Sequence, residues 1–197
     1  MANSQARGEK RRQEILQAAL ACFLEQGVEA TTIEMIRERS GASIGSLYHH
    51  FGNKDRLAAT LFIQGLRDYS GRLQQALADD PDAETGIRLM VTSYIDWVVE
   101  NPDWARFIFT ARRQVIQGEA AEELKADNRR QFSAIREWLQ PRIEAGQLRA
   151  VPLELFHALV NGPAQDYVRS WLAGRVRTSP LDYRQPLADA AWRSLAP

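Results

Sequence analysis

The 197-residue sequence has a single cysteine, Cys22, only three histidines and no net charge, with 25 Lys/Arg set against 25 Asp/Glu. A lone thiol cannot close an intramolecular disulfide, so nothing calls for an oxidising compartment. No apolar run approaches the roughly 18 residues that cross a bilayer, and the polar opening MANSQARGEKRR lacks the apolar stretch of an export signal. A cytoplasmic protein without membrane contact is expected. Period-two alternation of β-branched residues is missing at any useful length, and so are internal repeats and low-complexity tracts. The imidazoles are His49, His50 and His157, no glycine-rich phosphate loop is present, and the cysteine sits on an apolar stripe, so the parts of an enzyme active site are wanting. His49 and His50 diverge by about 100° on a helix and have no suitably spaced cysteine or carboxylate, so neither a metal nor a cofactor is expected.

Helical periodicity is abundant. The segment EILQAALACFLEQG places Ile15, Ala18, Ala19, Cys22 and Phe23 on one stripe and stops at Gly27. In TTIEMIRERSG, Thr31 and Glu34 stand at capping-box spacing, and Gly41 offers a left-handed stop. Ser43 can cap a third short helix, SIGSLYHH, which Gly52 and Asn53 interrupt. From Asn53 the pattern runs unbroken to Leu77, where the acidic loop ADDPDAETG intervenes before it resumes at Ile87. Further helical segments are expected at 102–117, 119–145, 153–173 and 184–195. The fold class is therefore all-α, with about nine helices.

Two short helices joined by a tight glycine turn, following a longer apolar helix, match the helix-turn-helix arrangement whose second short helix enters the DNA major groove. Leu47 and Phe51, four apart, can point inward onto Ile33 and Ile36, leaving Ser43, Ile44, Gly45, Ser46, Tyr48 and His49 outward. Tyr48 and Phe51 also read as plain core aromatics, and His50 as a packed or capping histidine. Ile44 is the telling residue, since an apolar side chain on an exposed short helix suits a thymine methyl group. Lys54 can reach one phosphate, and the Thr32 hydroxyl with nearby backbone amides another. Residues 1–56 carry eight Lys/Arg against seven Asp/Glu, with Lys10, Arg11 and Arg12 adjacent. Such a weak excess makes affinity lean on a few well-placed cations and on dimeric binding.

The run TTIEMIRERSGASIGSLYHHFGNKDRL, with the apolar helix before it, resembles the DNA-binding signature of the TetR family of one-component transcriptional repressors. The likeness covers residues 10 to about 60. It implies base reading by Ser43, Ile44, Gly45, Ser46 and His49, and phosphate contacts at Thr32, Tyr48 and Lys54. It also implies a C-terminal domain that dimerises and binds a small molecule, lowering affinity for a palindromic operator. The expected division is thus a DNA-binding domain over 1–56 and a ligand-binding and dimerisation domain over 57–197.

All five tryptophans fall beyond residue 85. Aromatics at helical spacing usually fill a core, but several together can line a pocket, and Tyr94, Trp97, Trp104, Phe107 and Phe132 are the expected walls for a hydrophobic or aromatic effector. In LELFHALVNGPAQDYVRSWLAG, His157, Asn161, Gln165 and Arg169 recur every four residues while apolar residues hold most other positions. That arc exceeds the ~100° that one core-facing stripe needs, so a second side is expected to meet a partner subunit. Leu159, Tyr167 and Trp171, with Leu187, Ala191 and Leu195 of the last helix, are the expected homodimer contacts. The competing expectation is a helical ligand-sensing or adaptor protein without DNA binding, which a near-neutral first domain would tolerate.

Overall fold

The computed structural model describes the backbone of residues 2–118 and 121–197, and the side chains of these apart from residues 2–5 and 132. Among the described residues there are nine α-helices, one 3-10 turn and no strand. The helices are α1 (Ala2–Ala30), α2 (Ile33–Ser40), α3 (Ile44–Phe51), α4 (Lys54–Leu77), α5 (Ala83–Glu100), α6 (Pro102–Gln117), α7 (Ala121–Glu144), α8 (Leu153–Leu172) and α9 (Arg184–Leu195), with the 3-10 turn at Pro180–Tyr183. Among the described residues, no helix is long and apolar enough to cross a membrane.

The chain divides into two compact units, but not at residue 56. One comprises residues 1–66 and 103–126, the other 67–102 and 127–197. The physical reason for the first grouping is the apolar face of α6. Phe107, fully buried, stacks on Phe23 of α1 at 5.6 Å between ring centroids, and Ala111 and Val115 join the same core as Ile15, Ile36, Leu47 and Phe62. Gly65 of α4 lies close under this helix, because a methyl group there would meet the Trp104 ring at 2.7 Å.

In the first unit, local sequence sets each helix end. Gly27 adopts φ 78°, ψ 160° and breaks α1 one turn before its end. Thr31 does not cap α2. Its hydroxyl is buried and donates to the carbonyls of Gly27 (2.7 Å) and Cys22 (3.1 Å). The cap is Thr32, whose Oγ1 accepts from the Met35 amide at 3.2 Å. Gly41 takes the left-handed conformation, φ 62°, and its amide closes on the Arg37 carbonyl at 2.9 Å.

In the second unit, α5 is buried on nearly every side and packs with α8 and α9. A helix apolar all round is a core helix, which is why its pattern shows little amphipathicity. Trp138 of α7 lies across Gly86 of α5 so closely that a methyl group there would sit 2.0 Å from the indole. Beside it, the buried Arg142 guanidinium stacks on the Trp138 ring at 4.1 Å and donates to Asp80 Oδ1 (2.7 Å) and the Pro81 carbonyl (2.6 Å). This clamp holds the α4–α5 loop to α7.

Candidate functional site

α3 is eight residues long and would be marginal alone, so its position depends on capping and packing. Ser43 Oγ accepts from the Ser46 amide at 3.1 Å, satisfying a free donor of the first turn. Leu47 and Phe51 are buried in the core of the first unit, as their four-residue spacing predicts. What they leave outward is a face of small and polar residues. Ser43, Gly45 and His49 are exposed, and Ser46 is half-buried. Ile44 is 46% exposed and Tyr48 52%, so Tyr48 is a surface side chain rather than a core aromatic. His50 is half-buried, its ring edge-on to His49 at 5.3 Å and 6.0 Å from that of Phe51.

The elements around α3 are fixed by cations that composition alone shows only as a charge run. Arg11 of α1 pairs with Glu14 at 2.9 Å and approaches the Ser40 carbonyl, at the end of α2, at 3.4 Å. Arg12 lies over the Phe51 ring at 5.6 Å. Arg39 of α2 reaches back to Glu25 at 2.6 Å, which holds that exposed carboxyl below the usual range chiefly through the hydrogen bond. Two members of the adjacent triplet therefore orient the helix-turn-helix. Their spacing one turn before Ile15, at the start of the apolar stripe, was the available signal.

Lys54, expected on a phosphate, has a prior engagement. Its ammonium donates to the Glu29 carbonyl (2.8 Å) and the Thr31 carbonyl (2.7 Å), tying α4 to the α1–α2 connection. One of its three N–H groups is left for a further acceptor. Thr32, exposed at the start of α2, accepts from Met35 through its oxygen and keeps its own hydroxyl proton to donate.

The aromatic residues expected around an effector fall in both units. Trp104 and Phe107 belong to the core of the first unit. Tyr94 and Trp97 are buried in the second, and the side chain of Phe132 on α7 lies outside the described residues. The grouping Tyr94 and Trp97 actually joins is completed by Tyr69 of α4, which stands edge-on to Tyr94 at 5.6 Å and tilted to Trp97 at 5.8 Å. The Trp97 indole donates to Asp68 Oδ2 at 2.7 Å. Burial pushes the Tyr69 and Tyr94 phenols well above their ordinary range, so both remain neutral donors. Among the described residues of this unit, the buried Tyr94 hydroxyl and the buried Asn161 Oδ1 of α8 have no hydrogen-bond partner. Asn161 faces inward although His157 and Arg169, on the same expected stripe, are exposed. A cavity elsewhere in this unit, about 200 Å³ and lined by Leu139, Ile143, Phe156 and Leu195 among others, is below the ~300 Å³ usual for ligand sites.

The expected dimer contacts divide likewise. Ala191 and Leu195 are buried within the second unit, because α9 turns that stripe onto α5, and they offer nothing to a partner. Leu159, Tyr167, Trp171 and Leu187 are half-buried. Tyr167 donates to the Thr178 carbonyl at 3.0 Å and packs edge-on to Tyr183.

A capped short helix that exposes a small, polar face, set behind a glycine turn and held by α1 and α2, defines a helix-turn-helix regulator of the DNA-binding class. Residues 15–61 match the family model described as bacterial regulatory proteins, tetR family. Over these residues the chain has the TetR-type DNA-binding segment. It is similar to the HTH-type transcriptional repressor AcnR of Corynebacterium glutamicum, at 27% identity over 83% of this chain and 82% of that one. Among solved structures it resembles a TetR family transcription regulator from Marinobacter aquaeolei, with a TM-score of 0.83 and 19% identity over 98% of each chain. The fold is shared too with the transcriptional regulator FadR of Bacillus subtilis, solved in complex with stearoyl-CoA, at a TM-score of 0.75 and 14% identity over 91% of this chain and 96% of that one.

Proposed function

We propose that this chain is a transcriptional repressor that binds a palindromic operator as a homodimer and is released by a small, largely apolar effector. The observation that carries the DNA-binding half is the outward face of α3. Ile44 and Tyr48 are large, roughly half exposed and flanked by Ser43, Gly45 and His49. An isoleucine on such a face gains from a thymine methyl group and nothing from water. Ser46 completes the base-reading set, while Thr32, Tyr48 and the remaining proton of Lys54 contact phosphates.

Two copies would read half-sites roughly 34 Å apart, so the operator carries the symmetry of the dimer. The outward residues of α8 and the 3-10 turn, Leu155 (45% exposed), Leu159, Trp171, Leu181 and Tyr183, supply the apolar surface for that association. The effector half rests on the aromatic group Tyr69, Tyr94 and Trp97 and on two unpartnered polar atoms buried in the same unit, the Tyr94 hydroxyl and Asn161 Oδ1. An apolar molecule with one hydroxyl or carbonyl group would satisfy the Tyr94 hydroxyl or Asn161. That a regulator of the same fold was solved in complex with stearoyl-CoA supports an apolar effector for this chain as well. An effector that binds better to a conformation with a different half-site spacing withdraws the protein from DNA.

The test is a gel shift with duplexes from the region upstream of the protein's own gene, with and without Ile44→Ser. The wild type is expected to give a salt-sensitive complex that a palindromic competitor removes, and the variant to lose that preference while keeping its melting temperature. Absence of any complex at low salt would leave the adaptor reading in its place. Tryptophan fluorescence titrated with hydrophobic alcohols, ketones and carboxylates tests the effector half, and a flat response to all of them would dismiss it.

A further inference from the structure

We infer that Arg7 and Lys10, at the start of α1, form a second DNA contact that holds phosphates beside the groove entered by α3. The inference rests on the reading of the first unit as a DNA-binding module and adds residues to it. α1 is already helical several turns before Ile15, where its apolar stripe begins. Among the described side chains, residues 6–14 bury nothing in the core, so core packing does not explain their composition.

Geometry gives the direction. Arg11 reaches the Ser40 carbonyl, one residue before the Gly41 turn, and the residues immediately after that turn, Ser43 to Gly45, open the reading face of α3. Arg7 is four residues before Arg11, on nearly the same line of the helix and about 6 Å further along its axis. It therefore lies about one helical turn beyond the residue that touches Ser40, towards the start of α1. Lys10 stands three residues after Arg7 on the adjoining line.

Charge accounting singles out the same pair. The acids nearest in the helix are occupied, Glu14 by Arg11 at 2.9 Å, and Glu9 by Gln13 at 3.0 Å and Arg12 at 3.7 Å. Arg11 and Arg12 are in turn committed to Ser40 and Phe51. Arg7 and Lys10 are exposed and make no ion pair among the described residues. In a module with eight cations and seven acids over residues 1–56, two unneutralised cations at one margin are a large part of the positive potential available to phosphate.

Full-length wild type and Arg7→Gln/Lys10→Gln are to be titrated by fluorescence anisotropy onto a labelled 30-base-pair duplex of arbitrary sequence over a range of salt. Each lost phosphate contact lowers the slope of log K against log salt by about 0.9, so the double variant is expected to lose about 1.8 per protomer, with sequence preference unchanged. Both positions are exposed, so helix content by circular dichroism should match wild type, and Arg7→Lys/Lys10→Arg should restore the slope. An unchanged slope in the double variant overturns the inference while leaving the reading of α3 intact. A wild type that binds no DNA at low salt overturns both.

Discussion

The two units use their side chains in opposite senses. In the first, the proposed function lies in what α3 leaves outside, a few exposed residues on a helix held from behind by Leu47 and Phe51. In the second, the residues with functional promise are turned inward, where Tyr94 and Asn161 are buried without partners. A reading surface must be small and accessible, and helix periodicity with capping shows which residues stay out. An effector site must exclude water, and the side chains that could form one come from helices far apart in sequence, as Tyr69 of α4 and Tyr94 of α5 do.

Four substitutions would break or sharpen this contrast. Phe107→Ala should cost the most, about 3–5 kcal/mol, as a large aromatic removed from a core, with DNA binding falling alongside. Chemical denaturation measures it, and a variant that kept full stability while losing effector response would return Phe107 to the role of pocket wall. Arg142→Met should cost about 2 kcal/mol, because the stem still packs on Trp138 but the hydrogen bonds to Asp80 and Pro81 disappear. The loss is to be read from the same denaturation curves, and no change would mean that the loop is held by packing alone.

Ile44→Ser is expected to leave stability within about 0.5 kcal/mol, as an exposed position allows. It should weaken operator binding by about 1–3 kcal/mol at the base it contacts, checked by titrating single-base operator variants. The smallest effect is expected from Tyr94→Phe, which removes a hydroxyl without a partner and should change thermal stability by less than about 0.5 kcal/mol. Its effector response should nevertheless fall, and an unaltered fluorescence titration would detach that hydroxyl from the site. Lys54 is a poorer probe than Ile44, because its ammonium also fastens α4 to Glu29 and Thr31, so Lys54→Ala mixes lost structure with lost phosphate contact.

Much of the helix-turn-helix was legible because its signals are local. Gly41 and Ser43 carry the backbone requirements of one turn and one cap, and Leu47 and Phe51 share a face through spacing alone. Thr31 and Thr32 mark the limit. Both can cap a helix, and the choice fell to the one whose neighbour could bury its hydroxyl against the end of α1.

Helix order, helix ends and the outward residues of α3 were thus determined by the sequence itself, since they depend on periodicity and on residues within one or two turns. Tertiary structure decided where each apolar face would go. α6 delivered Phe107 to the core of the first unit, α9 turned Ala191 and Leu195 onto α5, and α8 buried Asn161 while exposing His157 and Arg169. Apolar burial is non-directional, so a helix face states that it must be covered and leaves the covering partner to the packing of the whole chain.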